Sequence, residues 1–294
     1  MPGRMHDGEV AIDGRLVRQL IRSQFPEFGD LDLRRFDSVG TVNAIYRLGD
    51  HLAVRLPRHS AWAGGLLTEL RWLDELRPHL PLKIPVPVGR GEPEFGYPFV
   101  WAVYRWIPGS RYRPSSGAGE IGAARTLAHF VRTLRLIDAA DAPMAGRARL
   151  HSLDVATRHA IEVIGGPDAS RYVRVWERSL EAPEWEGTPV WHHGDLLPSN
   201  LLTSAGRLQA VVDFGSAGVG DPAADIIPAW TVFGARGRGV FRDVLEVDDP
   251  TWERARGLAL HQALLIVPYY ARTNPAFASL ATRTLEEVLN EGDR

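Results

Sequence analysis

The densest group of chemistry-bearing side chains in this 294-residue chain is His193-Gly194-Asp195-Leu196-Leu197-Pro198-Ser199-Asn200, with Asp213-Phe214-Gly215 following after a short strand-like run. An imidazole, a carboxylate and an amide fall at turn positions, and a second carboxylate closes the next run. An isolated Asp-Phe-Gly arises often by chance; H-x-D-x-x-x-x-N with an Asp 13 residues beyond the Asn is far more specific. These residue types suit movement of a phosphoryl group between oxygens, which needs a metal on the nucleotide phosphates and a carboxylate beside the attacking hydroxyl. Asn200 and Asp213 offer hard oxygens to magnesium, leaving Asp195 as the base. On the residues alone two other readings stay open. An Asx-rich turn network would use the same side chains only to satisfy loop amides. A metallohydrolase would gather His192, His193, Asp195 and Asp213 around zinc or manganese.

Composition narrows the field. The chain is 45% hydrophobic and 24% charged, with Gly 29 and Pro 21, the make-up of ordinary globular proteins and not of collagen, coiled coil or disorder. Its length suggests about two domains. Lys+Arg 34 against Asp+Glu 36 leaves a net charge of −2, so no nucleic-acid partner is expected. Cysteine is absent, which excludes thiol catalysis, Cys-ligated metals and disulfides and fits a reducing compartment. Asp7, Glu9, Asp13, Glu27 and Asp30 interrupt any secretory h-region, and no run of about 18 apolar residues occurs. The expectation is a cytoplasmic protein with no membrane partner. Lys83 is the only lysine, so chemistry that needs an amine has one candidate.

The elements that must position these residues can be read from periodicity. Ile12, Leu16, Leu20 and Ile21 recur at helical spacing before Phe25-Pro26. Ala44–Leu48 and Leu52–Leu56 read as two antiparallel strands around Gly49-Asp50. Leu66, Leu67, Leu70, Leu73 and Leu76 mark one helix face closed by Pro78, with Glu69 offset from the leucines. The run Phe99–Tyr104 reads as a buried strand ended by Pro108-Gly109. Residues 110–120 read as a link, and from Leu127, Phe130, Val131, Leu134 and Ile137 onward the chain is mainly helical. Short strands at 189–193 and 208–213 interrupt it, with helices near Ala223, over Trp252–Val267 and over Ala276–Leu289. Gly215, Gly218 and Gly220 run G-x-x-G-x-G ahead of Asp221-Pro222, which is not a dinucleotide-binding turn.

Three ordered motifs carry a family resemblance. His193–Leu202 resembles H-G-D-x-x-x-x-N-L-L, Val211–Gly215 resembles V-I-D-F-G, and Gly218–Asp225 reads G-V-G-D-P-A-x-D. The chain is similar over most of its length to the aminoglycoside phosphotransferase family, the antibiotic kinases of the protein-kinase-like superfamily. The resemblance implies an α+β, bilobal protein-kinase-like fold. Residues 1–108 would form a small β-rich nucleotide-binding lobe with one key helix, and 109–294 a larger, mainly helical lobe that holds catalysis and the acceptor. It implies Asp195 as catalytic Asp, His193 as the residue that orders its loop, Asn200 and Asp213 as Mg2+ ligands, and Asp221 and Asp225 as structural. In the small lobe, Gly40, Thr41 and Asn43 would close over the triphosphate of ATP or GTP with backbone N–H donors. Val42 stands where the family likeness suggests a polar residue. Arg55 falls where the kinase pattern V-A-I-K places its phosphate-binding lysine, with Glu69 as its ion partner. That is a departure, because a guanidinium is a planar fork and not a compact ammonium. Tyr104, Arg105, Trp106 and Ile107 match the hinge that reads a purine edge.

The implied activity is transfer of a nucleotide γ-phosphate to a small-molecule hydroxyl, with aminoglycosides or related antibiotics leading and a macrolide, amino alcohol or sugar as alternatives. A nucleotide-binding pseudo-enzyme is the reading from another class, favoured only by the loss of lysine at position 55. Glu181, Glu184, Glu186, Glu246, Asp248, Asp249 and Glu253 are acidic groups that a polycation would seek. Trp230, Phe233, Tyr269 and Tyr270 are aromatics that an apolar acceptor would seek.

Overall fold

The computed structural model describes residues 8–36, 42–114 and 117–291. Two compact units divide the chain: 1–78, 83–109 and 210–215 form the first, and 79–82, 110–209 and 216–294 the second.

The first unit opens with α1 (Gly14–Gln24), which Asp13 caps by accepting the Leu16 N–H at 2.8 Å, so the helix starts after Ile12. Val17, Leu20 and Ile21 are its buried face. Strands β1 (Leu33–Phe36), β2 (Asn43–Leu48) and β3 (Leu52–Pro57) follow, then helix α2 (Ser60–Leu76) and strands β4 (Pro87–Gly91) and β5 (Trp101–Arg105). They form one antiparallel sheet in the order β1-β2-β3-β5-β4. Side chains alternate across a strand. Ala44, Tyr46, Leu48, Val54, Leu56 and Val103 therefore join the α1 face in one apolar core. The opposite face of β2 and β3 carries Asn43, Ile45 and Arg55, with Ile45 paired to Arg55 and Arg55 to Ala102.

Helix α2 departs from the expected leucine face. Its buried residues are Leu66, Glu69, Leu73 and Leu76, while Leu67 is 43% exposed. Glu69 thus lies in the inward stripe, because a buried arginine on β3 supplies the partner that a buried carboxylate requires. The segment 210–215 belongs to this unit: Val211 N–H donates to the Lys83 carbonyl at 3.0 Å, and Phe214 is buried. A Cβ on Gly65 of α2 would stand 3.0 Å from the Gly215 carbonyl oxygen, so the helix admits the segment only without side chains there.

The second unit contains β6 (Ser110–Arg111), α3 (Ala118–Arg135), α4 (Leu150–Ile164), α5 (Ala169–Glu181), β7 (Val190–His192) and β8 (Leu201–Ser204). Strand β9 (Arg207–Val211) starts in it and ends in the first unit. It continues with β10 (Gly218–Gly220), α6 (Pro228–Thr231), α7 (Ala235–Leu245), α8 (Asp249–Tyr270) and α9 (Pro275–Leu289). Strand β7 pairs with β10, setting His192 against Gly218 and Trp191 against Val219. The link expected over 110–120 instead supplies β6, paired to β8. Trp230 and Trp252 pack at 4.7 Å between ring centroids, and both indole N–H groups donate to Glu291. Among the described residues no helix is long and apolar enough to cross a membrane.

Candidate active site

The loop leaving β7 is held from behind by one carboxylate. Asp225, fully buried, accepts the backbone N–H groups of His193 at 2.7 Å and Gly194 at 2.9 Å. Gly194 has φ +78, and a Cβ there would lie 2.7 Å from the Ser216 carbonyl oxygen, so only glycine fits without a shift. The Asp195 N–H donates to His193 Nδ1 at 3.2 Å. Asn200 Nδ2 donates to the Asp195 carbonyl at 2.8 Å and to its Oδ2 at 2.9 Å, which sets the carboxylate's direction. Arg147 Nη2 donates to the Gly194 carbonyl at 3.1 Å and to Gln262 Oε1 at 3.3 Å.

The first unit gathers Asn43, Arg55, Glu69 and Asp213. Arg55 Nη1 donates to both Glu69 oxygens, at 2.8 and 2.6 Å, and Nη2 donates to Asp213 Oδ1. With the Asn43 amide turned oxygen-inward, that oxygen accepts from Arg55 Nε and Nη2, each at 2.9 Å. Glu69 Oε2 also accepts the Phe214 N–H at 2.7 Å, tying α2 to the Asp-Phe-Gly turn. Asp213 sits at φ +69, a conformation that residues other than glycine adopt rarely. Burial acts to lower the Arg55 pKa, but the Asp213 and Glu69 carboxylates outweigh it and hold the guanidinium charged. The buried Tyr104 phenol is pushed well above its ordinary range by desolvation and by the Glu69 carboxylate.

Several expectations need correction. Asn43 lies on β2 with its side chain on Arg55, not in a phosphate-covering turn; Gly40 and Thr41 lie outside the described residues. The Tyr104 side chain is buried beside the Glu69 and Arg55 charges. The Arg105 and Trp106 N–H groups donate to Val86 at 2.9 Å and His51 at 2.7 Å, so neither is left for a purine. The Trp106 ring is occupied by Arg47, 4.7 Å above it, and by Phe36. Ile107 follows the sheet in a segment of no regular structure.

The metallohydrolase arrangement finds no support. His193 Nδ1 is used by the Asp195 N–H, His192 is fully buried, and no group of three or more His, Asp or Glu among the described residues is placed to hold a metal ion. Magnesium suits the donors better. Asn200 turns its NH2 to Asp195, its carbonyl oxygen accepts only a long bond from Ser199 Oγ at 3.5 Å, and Asp213 is about one-third exposed. Magnesium takes few protein ligands and completes its shell with water and phosphate.

Sequence reasoning treated Asp225 as structural by likeness and had no partner for it; G-V-G-D-P-A-x-D was the available signal. No motif marked Arg147.

An antiparallel-sheet unit that holds an Arg–Glu pair, followed by a helical unit that holds H-x-D-x-x-x-x-N, is the protein-kinase-like fold, and that fold class is the first conclusion the geometry supports. The sequence model described as phosphotransferase enzyme family, APH, matches residues 34–258, and the chain belongs to that family. Its fold is similar to the GDP and kanamycin complex of APH(2")-IIia, with TM-score 0.75 and 19% identity over 94% of this chain and 99% of that one. It is also similar to the macrolide 2'-phosphotransferase MphH from Brachybacterium faecium, with TM-score 0.60 and 22% identity over 92% and 97% of the two chains. In sequence it is 27% identical over 171 residues to the uncharacterized protein YcbJ of Bacillus subtilis (strain 168), which is 56% of this chain and about half, 54%, of that relative. The family is one of phosphotransferase enzymes.

Proposed function

We propose that the chain moves the γ-phosphoryl group of magnesium-bound ATP or GTP to a hydroxyl of an aminoglycoside or related antibiotic. The observation that carries this reading is the Asp195 carboxylate, aimed by Asn200 on a loop whose N–H groups are pinned to Asp225. In this reading Asp195 Oδ1 or Oδ2 receives the proton of the acceptor hydroxyl as that oxygen attacks the γ-phosphorus. The bond from γ-phosphorus to the β–γ bridging oxygen breaks, and the nucleoside diphosphate leaves with the electron pair. Asn200 and Asp213 would hold magnesium, which neutralises charge on the phosphate oxygens when bound. Arg55 steadies the phosphates, and rate comes from positioning plus charge neutralisation with no covalent enzyme intermediate. The GDP and kanamycin of one structural neighbour support the donor and acceptor classes.

A second reading, an acceptor alcohol on an apolar body such as a macrolide, is favoured by the way acidic groups of the second unit are already engaged. Of the acidic groups a polycation would seek, Glu184 pairs with Arg149 at 2.6 Å, Glu253 with Arg178 at 2.9 Å, and Asp249 with Arg242. Asp248 is spent as the α8 cap.

The test is nucleoside diphosphate release with magnesium, using ATP and GTP separately against aminoglycosides, macrolides, peptide antibiotics and amino alcohols, with Asp195→Asn as control. Release that depends on one acceptor class and vanishes in the variant supports the reading and names the acceptor. Nucleotide binding with no acceptor-dependent release favours the pseudo-enzyme, and absence of nucleotide binding refutes the kinase assignment.

A further inference from the structure

Arg55 is more fully committed than a phosphate-gripping residue needs to be. A guanidinium has five N–H donors on three nitrogens. Here Nη1 serves Glu69, Nη2 serves Asp213 and Asn43, and Nε serves Asn43. Each nitrogen is engaged before any nucleotide arrives. The arrangement is built, not incidental: Arg55, Glu69 and Asn43 are all buried, and the pairing joins β2, β3, α2 and the Asp-Phe-Gly turn. The carboxylate proposed for magnesium is therefore already ion-paired to the group proposed for phosphate.

We infer that Arg55 competes with the metal for Asp213, so that magnesium takes the carboxylate only as the triphosphate draws the guanidinium away. This rests on the reading of Asp213 as a metal ligand and adds a rule for its occupancy. Formal charges make the exchange reasonable. Arg55, Glu69 and Asp213 sum to one negative charge, which attracts a divalent ion, yet Coulomb repulsion disfavours a guanidinium and a dication on one carboxylate. The triphosphate supplies the anion that lets both cations stay. Asn43 is a positioning residue here: by holding Nε and Nη2 it turns the fork so that one edge faces Asp213.

The inference is tested on the nucleotide-free chain by titrating Mn2+ and reading free ion by electron paramagnetic resonance. Two variants loosen the bridge without changing the net charge of the cluster. Arg55→Lys keeps the positive charge on a compact ammonium that cannot fork to three partners. Arg55→Met/Glu69→Gln removes one charge of each sign and keeps an acceptor for the Phe214 N–H. The double variant should bind Mn2+ about tenfold more tightly than the parent, equivalent to about 1.4 kcal/mol, and Arg55→Lys should shift in the same direction. A purely structural role for Arg55 predicts unchanged or weaker binding. Folding is checked by circular dichroism, and the double variant stands in if Arg55→Lys does not fold. Folded variants that bind Mn2+ no more tightly than the parent overturn the competition. Asp213→Asn added to the double variant separates the two readings: if it leaves the double variant's Mn2+ binding unchanged, Asp213 is not the ligand and the metal assignment fails first.

Discussion

Asp225→Asn tests how the catalytic loop is held. The native carboxylate is fully buried and accepts two backbone N–H groups, from His193 and Gly194, at 2.7 and 2.9 Å. Asparagine matches the shape but offers one acceptor oxygen; its NH2 must face the other N–H. One charge-assisted hydrogen bond, worth about 1.5–3 kcal/mol, is lost with a donor left unsatisfied, and the surviving bond weakens to the neutral value of about 0.5–1.5 kcal/mol. Arg135, whose guanidinium feels Asp225 as its leading favourable charge against burial, loses support as well. The total is about 2–4 kcal/mol, which at about 2–4 °C per kcal/mol for a chain of this size lowers Tm by roughly 5–15 °C. Below that Tm the loop carrying Asp195 has lost its anchor, and a displacement of about 1 Å at the reacting group costs on the order of a hundredfold in rate. Two measurements decide it: thermal melts by far-UV circular dichroism, and kcat with KM for nucleotide from diphosphate release at a temperature where the variant is folded. The expected pattern is a lower Tm, a kcat reduced about 10–100-fold and an unchanged KM for nucleotide, because the Arg55 cluster lies in the other unit. A variant that loses Tm but keeps kcat refutes the anchoring argument, and one that keeps both refutes the hydrogen bonds themselves.

Three further outcomes follow. Asp195→Asn removes the proposed proton acceptor but keeps the Asn200 contact, so kcat should fall about 10²–10⁴-fold with nucleotide affinity retained; calorimetric nucleotide binding lost along with activity would contradict that role. Gly194→Ala must accommodate a Cβ 2.7 Å from the Ser216 carbonyl oxygen at φ +78, so it should destabilise the chain by about 1–3 kcal/mol in urea melts and depress kcat. His261 packs on Trp176 and pairs with Thr157 at 2.8 Å; burial, with Arg147 nearby, lowers its pKa below the ordinary 6.5. The unfolded chain therefore binds this proton first, so stability is full above about pH 6.5 and falls as the pH drops toward the lowered value. His261→Gln should flatten that slope in urea midpoints measured across the range, and a parent midpoint that rises on acidification would reverse the sign.

Much of this protein is readable one segment at a time. Residues Ala44–Leu56 alternate in a way that only a half-buried hairpin satisfies, and the structure has that hairpin with its turn at Gly49-Asp50. The order H-x-D-x-x-x-x-N then D-F-G is a local spacing, sufficient to nominate Asp195, Asn200 and Asp213 and to select the family. The resemblance also set Arg55 opposite Glu69, although the leucine pattern alone placed Glu69 off the buried face. A helix face is buried according to what the opposing element offers, and here β3 offers a guanidinium.

What the tertiary structure decided is which donors each acceptor meets. Arg55 and Asp213 are 158 positions apart, and nothing in either segment announces that they pair. Asn43 reads as a loop residue by motif, yet sheet register puts it two positions along the same face from Ile45, the partner of Arg55, and it becomes a ligand of the guanidinium. The hinge N–H groups of Arg105 and Trp106 look available in sequence and are spent on Val86 and His51 once the strands pair. Local propensity and motif spacing thus determine which chemistry the chain carries, because they depend on neighbours within a few residues. The state of each charged group before substrate arrives depends on partners that only long-range closure supplies, since a buried polar group must be satisfied by whatever the fold brings within hydrogen-bond distance.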